Sequence, residues 1–327
     1  MGRRCAMTGP LEFERHVDDY LAIRKAVGLT NTRHGRGLRD FIAYAKNIGA
    51  TDGSPIRAAT AVSWAWDHAP ATCGIRGRAD RLILVRGFLN YLAAIIPGTE
   101  VPGSRLIAAG RRRRPYVFSD EEMTTLINSA RRSNSRVPFR PIVLSTMLGL
   151  LGSTGIRVGE ACRLTMADVR LGDAHPHLQI LQTKFHKSRL VPIHATVAAA
   201  LSGYFEERRI HERYTWGDRL FVNRDGRPLD VHDLGRWFAS LCQSLGIAPA
   251  NTHDRRPCLT SFRHTFAVRR LCEWHSAGLD VQSLLPTLAV YLGHVGPESS
   301  YWYLSATPDL LRAAGTRFTL DRSAGGE

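Results

Sequence analysis

The amino-acid sequence predicts a mainly α-helical protein with one small antiparallel β-sheet, an α+β fold. Most apolar residues recur three or four positions apart, which is the spacing of one face of a helix. Residues 165–193 differ, because short β-like apolar runs flank a polar turn there. With 327 residues, 44% of them apolar, the chain is long enough for two domains that each bury a core.

Residues 1–96 are predicted to form a small helical domain. The first helix is predicted over residues 11–25, where Phe13, Val17 and Leu21 recur at a spacing of four. Ser54 followed by Pro55 is a signal for the start of a third helix. The second and fourth helices follow from apolar stripes at Leu38, Phe41, Ile42 and Ala45 and at Leu82, Val85, Leu89 and Leu92.

The helical pattern stops in residues 97–118, which we predict to be a basic interdomain linker. Regular structure is interrupted there by Pro97, Gly98, Pro102 and Gly103. A basic run follows at Arg111, Arg112, Arg113 and Arg114. Such a run can be a solvated spacer, but in an already basic chain we favour contact with phosphate groups.

A second domain is predicted over residues 119–327. Ser119 supplies an N-cap and Glu122 the capping-box carboxylate for its first helix. An apolar helix follows around residues 142–151. The small sheet is predicted from Leu178 and Ile180 before the turn at residues 184–187, and after it from Leu190, Val191 and Ile193.

The charge balance favours a polyanionic partner. Lys and Arg number 44 against 29 for Asp and Glu, a formal net charge of +15, and nucleic acid is the leading candidate. The sequence has no apolar run long enough to span a bilayer and no signal-peptide pattern, so a cytoplasmic location is expected. The six cysteines are scattered without a CxxC pair, and neither a disulfide framework nor a metal site is predicted.

Several common catalytic motifs do not occur. The sequence contains no GxxxxGK[ST] loop, no GxGxxG after a strand, no HExxH and no GxSxG. Nucleotide hydrolysis, dinucleotide redox chemistry and serine hydrolysis therefore lose their usual support. The second domain instead carries five dispersed segments, which are Gly155-Ile-Arg-Val-Gly-Glu160, Thr183-Lys184, Ser261-Phe-Arg-His-Thr-Phe-Ala267, Leu292-Gly-His294 and Tyr303.

In this order the segments resemble the tyrosine site-specific recombinases, the phage integrase family. That family has an Arg in a TGxRxxE context, a Lys in a β-hairpin, an HxxRHTFA box, an LGH box and a Tyr nine positions after the last His. Here Tyr303 follows His294 by nine. The resemblance covers about residues 119–315, and it implies that residues 1–96 are the core DNA-binding domain and residues 119–327 the catalytic domain.

The resemblance implies a site-specific recombinase or integrase that cleaves and rejoins duplex DNA through a 3′-phosphotyrosine intermediate, with neither a metal nor another cofactor. Arg157 and Arg263 would clamp the scissile phosphate, because planar, permanently charged guanidinium groups suit an anion that gains charge during attack. His294 would add a hydrogen bond. Tyr303 would be the nucleophile, and Lys184 would protonate the leaving 5′-oxygen.

One position departs from the family pattern. Three residues before Arg263 the family usually has His or Lys, but this chain has Thr260. A threonine hydroxyl can donate a hydrogen bond to phosphate but cannot hold a proton as an imidazole does. The departure fits slower chemistry, a substitute such as His264 or His253, or a lost activity. We expect Thr260 and His264 to contact DNA.

Other assignments stay open at this point. Lys187 competes with Lys184 for the role of general acid, and Tyr301 is a weaker candidate for the nucleophile because it follows His294 by seven positions. Glu160 is expected to support the helix of Arg157 or to orient a side chain of the site, with a surface carboxylate as the alternative.

The expected partner is double-stranded DNA, on which the protein would act as a homo-oligomer, a synaptic tetramer. Other recombinases of the same family are further candidate partners. Aromatic phrases such as Tyr301-Trp-Tyr-Leu-Ser-Ala-Thr-Pro308 resemble transposon-borne members. Three rivals remain: a recombinase-like accessory protein that binds DNA without cutting it, a type IB topoisomerase-like relaxase, and a plain helix-turn-helix regulator.

Overall fold

The computed structural model of the protein describes residues 13–29, 32–50, 55–104, 106, 113–134, 139–181, 188–211, 217–223, 225–251, 254–294 and 303. The chain divides into two compact units, residues 1–112 and residues 113–327. Helices dominate both units, and the one three-stranded sheet found in the described ranges lies in the second. The predicted fold class, mainly α with a small antiparallel sheet, is confirmed.

In the described residues of the first unit, four helices surround an apolar core. They are α1 (Phe13–Ala26), α2 (Thr32–Asn47), α3 (Ala58–Trp66) and α4 (Ile75–Ala93). The apolar stripes predicted for α2 and α4 are buried in this core, as their helical spacing requires. The rings of Phe41 and Trp64 meet edge to face, with centroids 5.5 Å apart. Residue periodicity alone therefore located the core-facing sides of these helices.

The start of α3 differs from the prediction. Pro55 is not the first helical residue, since α3 begins at Ala58. The backbone N–H of Ala58 donates to a carboxylate oxygen of Glu100 at 3.0 Å, and Arg57 donates to the other oxygen at 3.1 Å. A carboxylate from far along the chain thus satisfies one of the free N–H groups at the helix start. The local Ser-Pro signal was wrong by three residues because it could not include this contact.

The second unit contains the remaining described α-helices and one 3-10 turn, Met166–Asp168. The α-helices are α5 (Asp120–Arg132), α6 (Phe139–Thr154), α7 (Val158–Ala161), α8 (Ala195–His211), α9 (Val231–Ser244), α10 (Leu259–Ser276) and α11 (Val281–Leu292). The predicted capping box of α5 is confirmed: Ser119 Oγ accepts from Glu122 N at 3.1 Å, and the Glu122 carboxylate accepts from Ser119 N at 2.9 Å. Helix α6 is buried on almost every side and packs against α5, α8 and α10.

The sheet has the strand order β1 (Val169–Arg170), β2 (His177–Ile180) and β3 (Arg189–Pro192), and both pairs are antiparallel. Leu178 lies opposite Val191, and both are fully buried. Ile180 lies opposite Arg189, at the end of the β2–β3 pair next to the connecting segment. The sheet therefore brings a charged residue, Arg189, to the edge of the hydrophobic core.

Across the described residues, no helix has both the length and the apolar character needed to cross a membrane.

Candidate active site

The first candidate arginine lies at a sharp turn between α6 and α7. Helix α6 ends at Thr154, and Gly155 adopts a left-handed conformation with φ of 61°. A side-chain carbon at Gly155 would lie 2.6 Å from the ring of Phe266, so glycine is needed for both conformation and space. Arg157 then stands at the start of α7 in an extended conformation. The turn thereby ends α6 and places Arg157 immediately before α7.

Glu160 holds Arg157 in place. One Glu160 oxygen accepts from Arg157 Nη1 at 2.7 Å, and the other accepts from the Arg157 backbone N–H at 3.0 Å and from Arg189 Nη2 at 2.8 Å. Only 2% of the Glu160 side chain is exposed. Burial alone would raise the pKa of this carboxyl, but the hydrogen bonds and charge of Arg189, together with the hydrogen bonds from Arg157, lower it to about 2. The alternative of a surface carboxylate is wrong.

Arg189 belongs to the same network and was missed by the sequence reasoning. Its side chain is 10% exposed, and its Nε donates to the backbone carbonyl of Tyr291 at 2.8 Å. It therefore joins strand β3 to the last turn of α11. The signal that could have found Arg189 is a cation at the start of the apolar strand Arg-Leu-Val-Pro, since a buried charge needs a partner.

The second candidate arginine, Arg263, is buried in α10 and is 5% exposed. Its Nη1 donates to the carbonyl of Gly155 at 3.0 Å and its Nη2 to the carbonyl of Leu292 at 2.7 Å. Burial and the charge of Arg157 lower the pKa of Arg263 to about 10. The group still carries its charge at neutral pH, and its two hydrogen bonds link the ends of α6 and α11.

The Leu-Gly-His segment ends α11 next to the arginines. Gly293 has φ of 69° and its carbonyl accepts from Arg157 Nη2 at 2.6 Å. A side-chain carbon at Gly293 would lie 2.6 Å from Arg189 Nη1 and 3.3 Å from Arg157 Nη1. Only glycine leaves room for both guanidinium groups in this conformation. The following residue, His294, is thereby fixed to the arginine cluster through the backbone.

His294, His264 and Tyr303 form an aromatic group beside these arginines. The rings of His294 and Tyr303 are nearly parallel, at 14°, with centroids 6.4 Å apart. Tyr303 is 3% exposed, and its hydroxyl lies 3.2 Å from Nδ1 of His264. Burial, followed by the charges of Arg263 and Arg157, lowers the pKa of His294 to about 4. Its imidazole is therefore neutral at neutral pH.

The remaining predicted residues divide into two groups. Thr260 is exposed on the first turn of α10, and Arg113 and Arg114 are exposed before α5. Several others lie outside the described residues, namely Arg111, Arg112, Lys184, Lys187, His253 and Tyr301. The structure thus brings together Arg157, Arg263, His294 and Tyr303, with His264 against the tyrosine.

This arrangement combines positive charge with a tyrosine hydroxyl. The guanidinium groups of Arg157, Arg189 and Arg263 converge within a network in which, among the described contacts, Glu160 is the carboxylate partner. Each of the three guanidinium groups also donates to at least one backbone carbonyl, which neutralises no charge. The excess of cationic groups favours an anion, and the nearby hydroxyl could act on it as a nucleophile.

Comparison with known proteins indicates one protein family. Residues 117–308 match the model of the phage integrase family. A putative integrase/recombinase, y4rB, of Sinorhizobium fredii is 37% identical over 310 residues, which is 93% of this chain and 96% of that protein. Tyrosine recombinase XerD of Mycobacterium tuberculosis is 26% identical over 90% of this chain and 93% of its own length.

The solved structures that share the fold include two protein–DNA complexes. The XerH site-specific recombinase in a post-cleavage complex with palindromic difH DNA has a TM-score of 0.66 and 17% identity, covering 94% of this chain and 85% of that one. The Tn1549 transposon integrase with circular-intermediate DNA has a TM-score of 0.64 and 16% identity, covering 93% and 99%. The family match and the 37% identical relative each span more than half of the sequence, and the predicted resemblance is confirmed: the chain belongs to the phage integrase family.

Proposed function

We propose that this protein is a site-specific recombinase that cuts and rejoins duplex DNA through a 3′-phosphotyrosine intermediate. The observation that carries the proposal is the buried hydroxyl of Tyr303 beside His294, whose backbone is held to Arg157 through Gly293. Family membership supplies the class of reaction, and the geometry supplies the groups that would perform it. The residue roles below are part of the proposal.

Arg157 and Arg263 would bind the nonbridging oxygens of the scissile phosphate. A phosphodiester anion repels nucleophiles, and attack on phosphorus adds charge to these oxygens. Fixed guanidinium groups meet that charge without reorganisation, and removing one preorganised donor of this kind typically slows a reaction by about 10²- to 10³-fold. His294, neutral in the DNA-free protein, would donate a hydrogen bond to the same phosphate.

Tyr303 would attack phosphorus and displace the 5′-oxygen of the next nucleotide. A bond forms between the phenolic oxygen and phosphorus, and the phosphorus–5′-oxygen bond breaks. The leaving oxygen would take a proton from Lys184, a role that rests on the sequence resemblance. Because the phosphotyrosine retains the energy of the broken bond, a 5′-hydroxyl of another strand can reseal it without a nucleotide or a metal.

Double-stranded DNA is the proposed partner. The net charge of +15 favours phosphate contacts, and the XerH and Tn1549 proteins were solved as DNA complexes. We propose that the helices of residues 1–96 form the core DNA-binding domain and that residues 97–118 link it to the catalytic domain. The run Arg111–Arg114, with Thr260, would add phosphate contacts, and strand exchange would take place in a tetramer of the protein.

An accessory protein that binds DNA without cutting it is the second candidate, because Thr260 replaces the usual His or Lys. A relaxase is the third, since it shares the nicking step.

The first experiment separates these functions. Nicked suicide duplexes tiled across the DNA on both sides of the coding sequence are incubated with the protein in EDTA without ATP, and covalent adducts are recovered from denaturing gels.

A recombinase forms an adduct with at least one duplex, whereas an accessory protein binds tightly and forms none. The captured sequence is then cloned in one or two copies on a plasmid. Recombinant products that require two copies support the recombinase, and relaxation of a one-copy plasmid without exchange would support the relaxase. Absence of both adduct and recombinant product would contradict the proposal.

A further inference from the structure

The hydroxyl of Tyr303 is in contact with a second imidazole, that of His264. The distance from the hydroxyl oxygen to His264 Nδ1 is 3.2 Å, the two rings are 5.6 Å apart, and both residues are buried. We propose that His264 is a catalytic residue that accepts the phenolic proton of Tyr303 during attack on phosphorus. This inference rests on the proposed recombinase function and gives His264 a role different from phosphate contact.

The helix register explains how His264 comes to this position. Thr260 and His264 are four residues apart on α10, so they lie one turn apart on the same face. Thr260 is exposed at the helix start, whereas His264 is only 9% exposed and reaches the tyrosine. Of the two histidines in the family's HxxRHTFA pattern, this chain has Thr260 in place of the first and keeps the second as His264. His264 is the one in contact with the proposed nucleophile.

The other groups near Tyr303 suit different tasks. The guanidinium groups of Arg157 and Arg263 have no lone pair to offer and serve only as donors. The Glu160 carboxylate is occupied by Arg157 and Arg189. His294 lies nearly parallel to the tyrosine ring, and burial together with the neighbouring arginines lowers its pKa to about 4, which makes it a weak base. Its better role is to donate a hydrogen bond to phosphate, which leaves His264 for the proton.

The proton transfer balances in both directions. For Nδ1 to accept, the proton of neutral His264 must be on Nε2. During cleavage the O–H bond of Tyr303 breaks, its oxygen bonds to phosphorus, and the proton moves to His264 Nδ1. The 5′-oxygen leaves with a proton from the general acid. During resealing a 5′-hydroxyl attacks the phosphotyrosine and returns its proton to the deprotonated general acid, while the His264 imidazolium returns its proton to the departing phenolic oxygen.

The test compares His264→Asn with His264→Ala in the full-length chain. Asn places an oxygen near the position of Nδ1, so it can accept a hydrogen bond but cannot hold a proton. The measured quantity is the single-turnover rate of adduct formation on the duplex captured by the unsubstituted protein. Both variants are expected to slow this rate by about 10²- to 10⁴-fold, the usual contribution of general acid–base catalysis, with little change in DNA affinity.

A matched control is His232→Asn, an exposed histidine on α9, which should leave the rate unchanged. A rate for His264→Asn within about threefold of that of the unsubstituted protein would overturn the proposal, because a hydrogen bond alone would then suffice. His264→Gln serves in the same comparison if either variant fails to fold, as judged by circular dichroism.

A second readout changes the acidity of the nucleophile. Tyr303 is replaced by 3,5-difluorotyrosine, whose more acidic phenol needs less help in losing its proton. The rate difference between His264 and His264→Asn is expected to shrink by tenfold or more. An unchanged difference would overturn proton acceptance by His264. If the unsubstituted protein forms no adduct with any duplex, the recombinase proposal itself fails, so the two failures are distinguishable.

Discussion

Replacing Glu160 by Gln tests whether the arginine cluster depends on one buried carboxylate. Gln keeps the shape of the side chain but removes its charge and turns one acceptor oxygen into an N–H donor. That donor would face Arg157 or Arg189, both of which donate to Glu160 in the native protein. The substitution thus leaves two guanidinium groups without their anionic partner.

Two estimates of the folding stability lost in Glu160→Gln agree. Removing one member of a buried ion pair typically destabilises a protein by about 3–5 kcal/mol. The contacts with Arg189 and Arg157 lower the pKa of Glu160 from 4.5 to about 2, and this lowering corresponds to about 3 kcal/mol. Because the folded state lowers this pKa, the stabilisation is fully present above pH 4.5 and is lost as the pH falls towards 2.

The assay is hydrogen exchange of the buried helix α6 in the full-length protein at pH 7, which reports the free energy of opening of the second unit. Glu160→Gln should speed exchange of its slowest amides by about two orders of magnitude or more. The control is Glu206→Gln, because the pair of Glu206 with Arg209 is exposed on both sides and is worth less than about 1 kcal/mol. Equal, small effects of both substitutions would refute the reasoning.

Three further predictions concern the same cluster. Gly293→Ala should slow adduct formation by about a hundredfold, since the new carbon would displace guanidinium groups that must be placed to within an ångström; an unchanged rate would contradict this. Arg189→Met should slow cleavage by about 10- to 100-fold with unchanged DNA affinity, as expected of a positioning residue. In a protein that already carries Arg157→Ala, the same substitution should slow cleavage little further; multiplied rate losses in the double variant would show that Arg189 has a separate role. The contribution of His294 to unfolding free energy should fall as the pH drops from 6.5 to about 4, because the unfolded chain takes up the proton first; equal pH slopes for the native protein and His294→Gln would contradict it.

Elements with a strong local pattern were predictable from the sequence. The apolar stripes of α2 and α4 are buried, and the capping box at Ser119 forms as predicted, because spacing and capping involve neighbours within one or two turns. The strands around residues 178 and 191 also follow from their apolar pattern. The start of α3 could not be predicted, since Glu100 reaches Ala58 from 42 residues away.

The site was predictable in its residue types and less so in its contacts. Family segments pointed to Arg157, Arg263, His294 and Tyr303, whose catalytic roles remain predictions. The contact of Arg189 with Glu160 joins residues 29 apart, and that of His264 with Tyr303 joins residues 39 apart. Periodicity shows which side chains share a face of one helix or strand, but not how the ends of several elements converge.

The location of the DNA–protein bond tests the central claim most directly. The adduct formed on a captured duplex is digested with protease and nuclease, and the peptide that carries the nucleotide is identified by mass spectrometry. The account predicts a 3′-phosphotyrosine at Tyr303, and no adduct from Tyr303→Phe while DNA affinity stays nearly the same. An adduct on another residue, or one that persists in Tyr303→Phe, would contradict it.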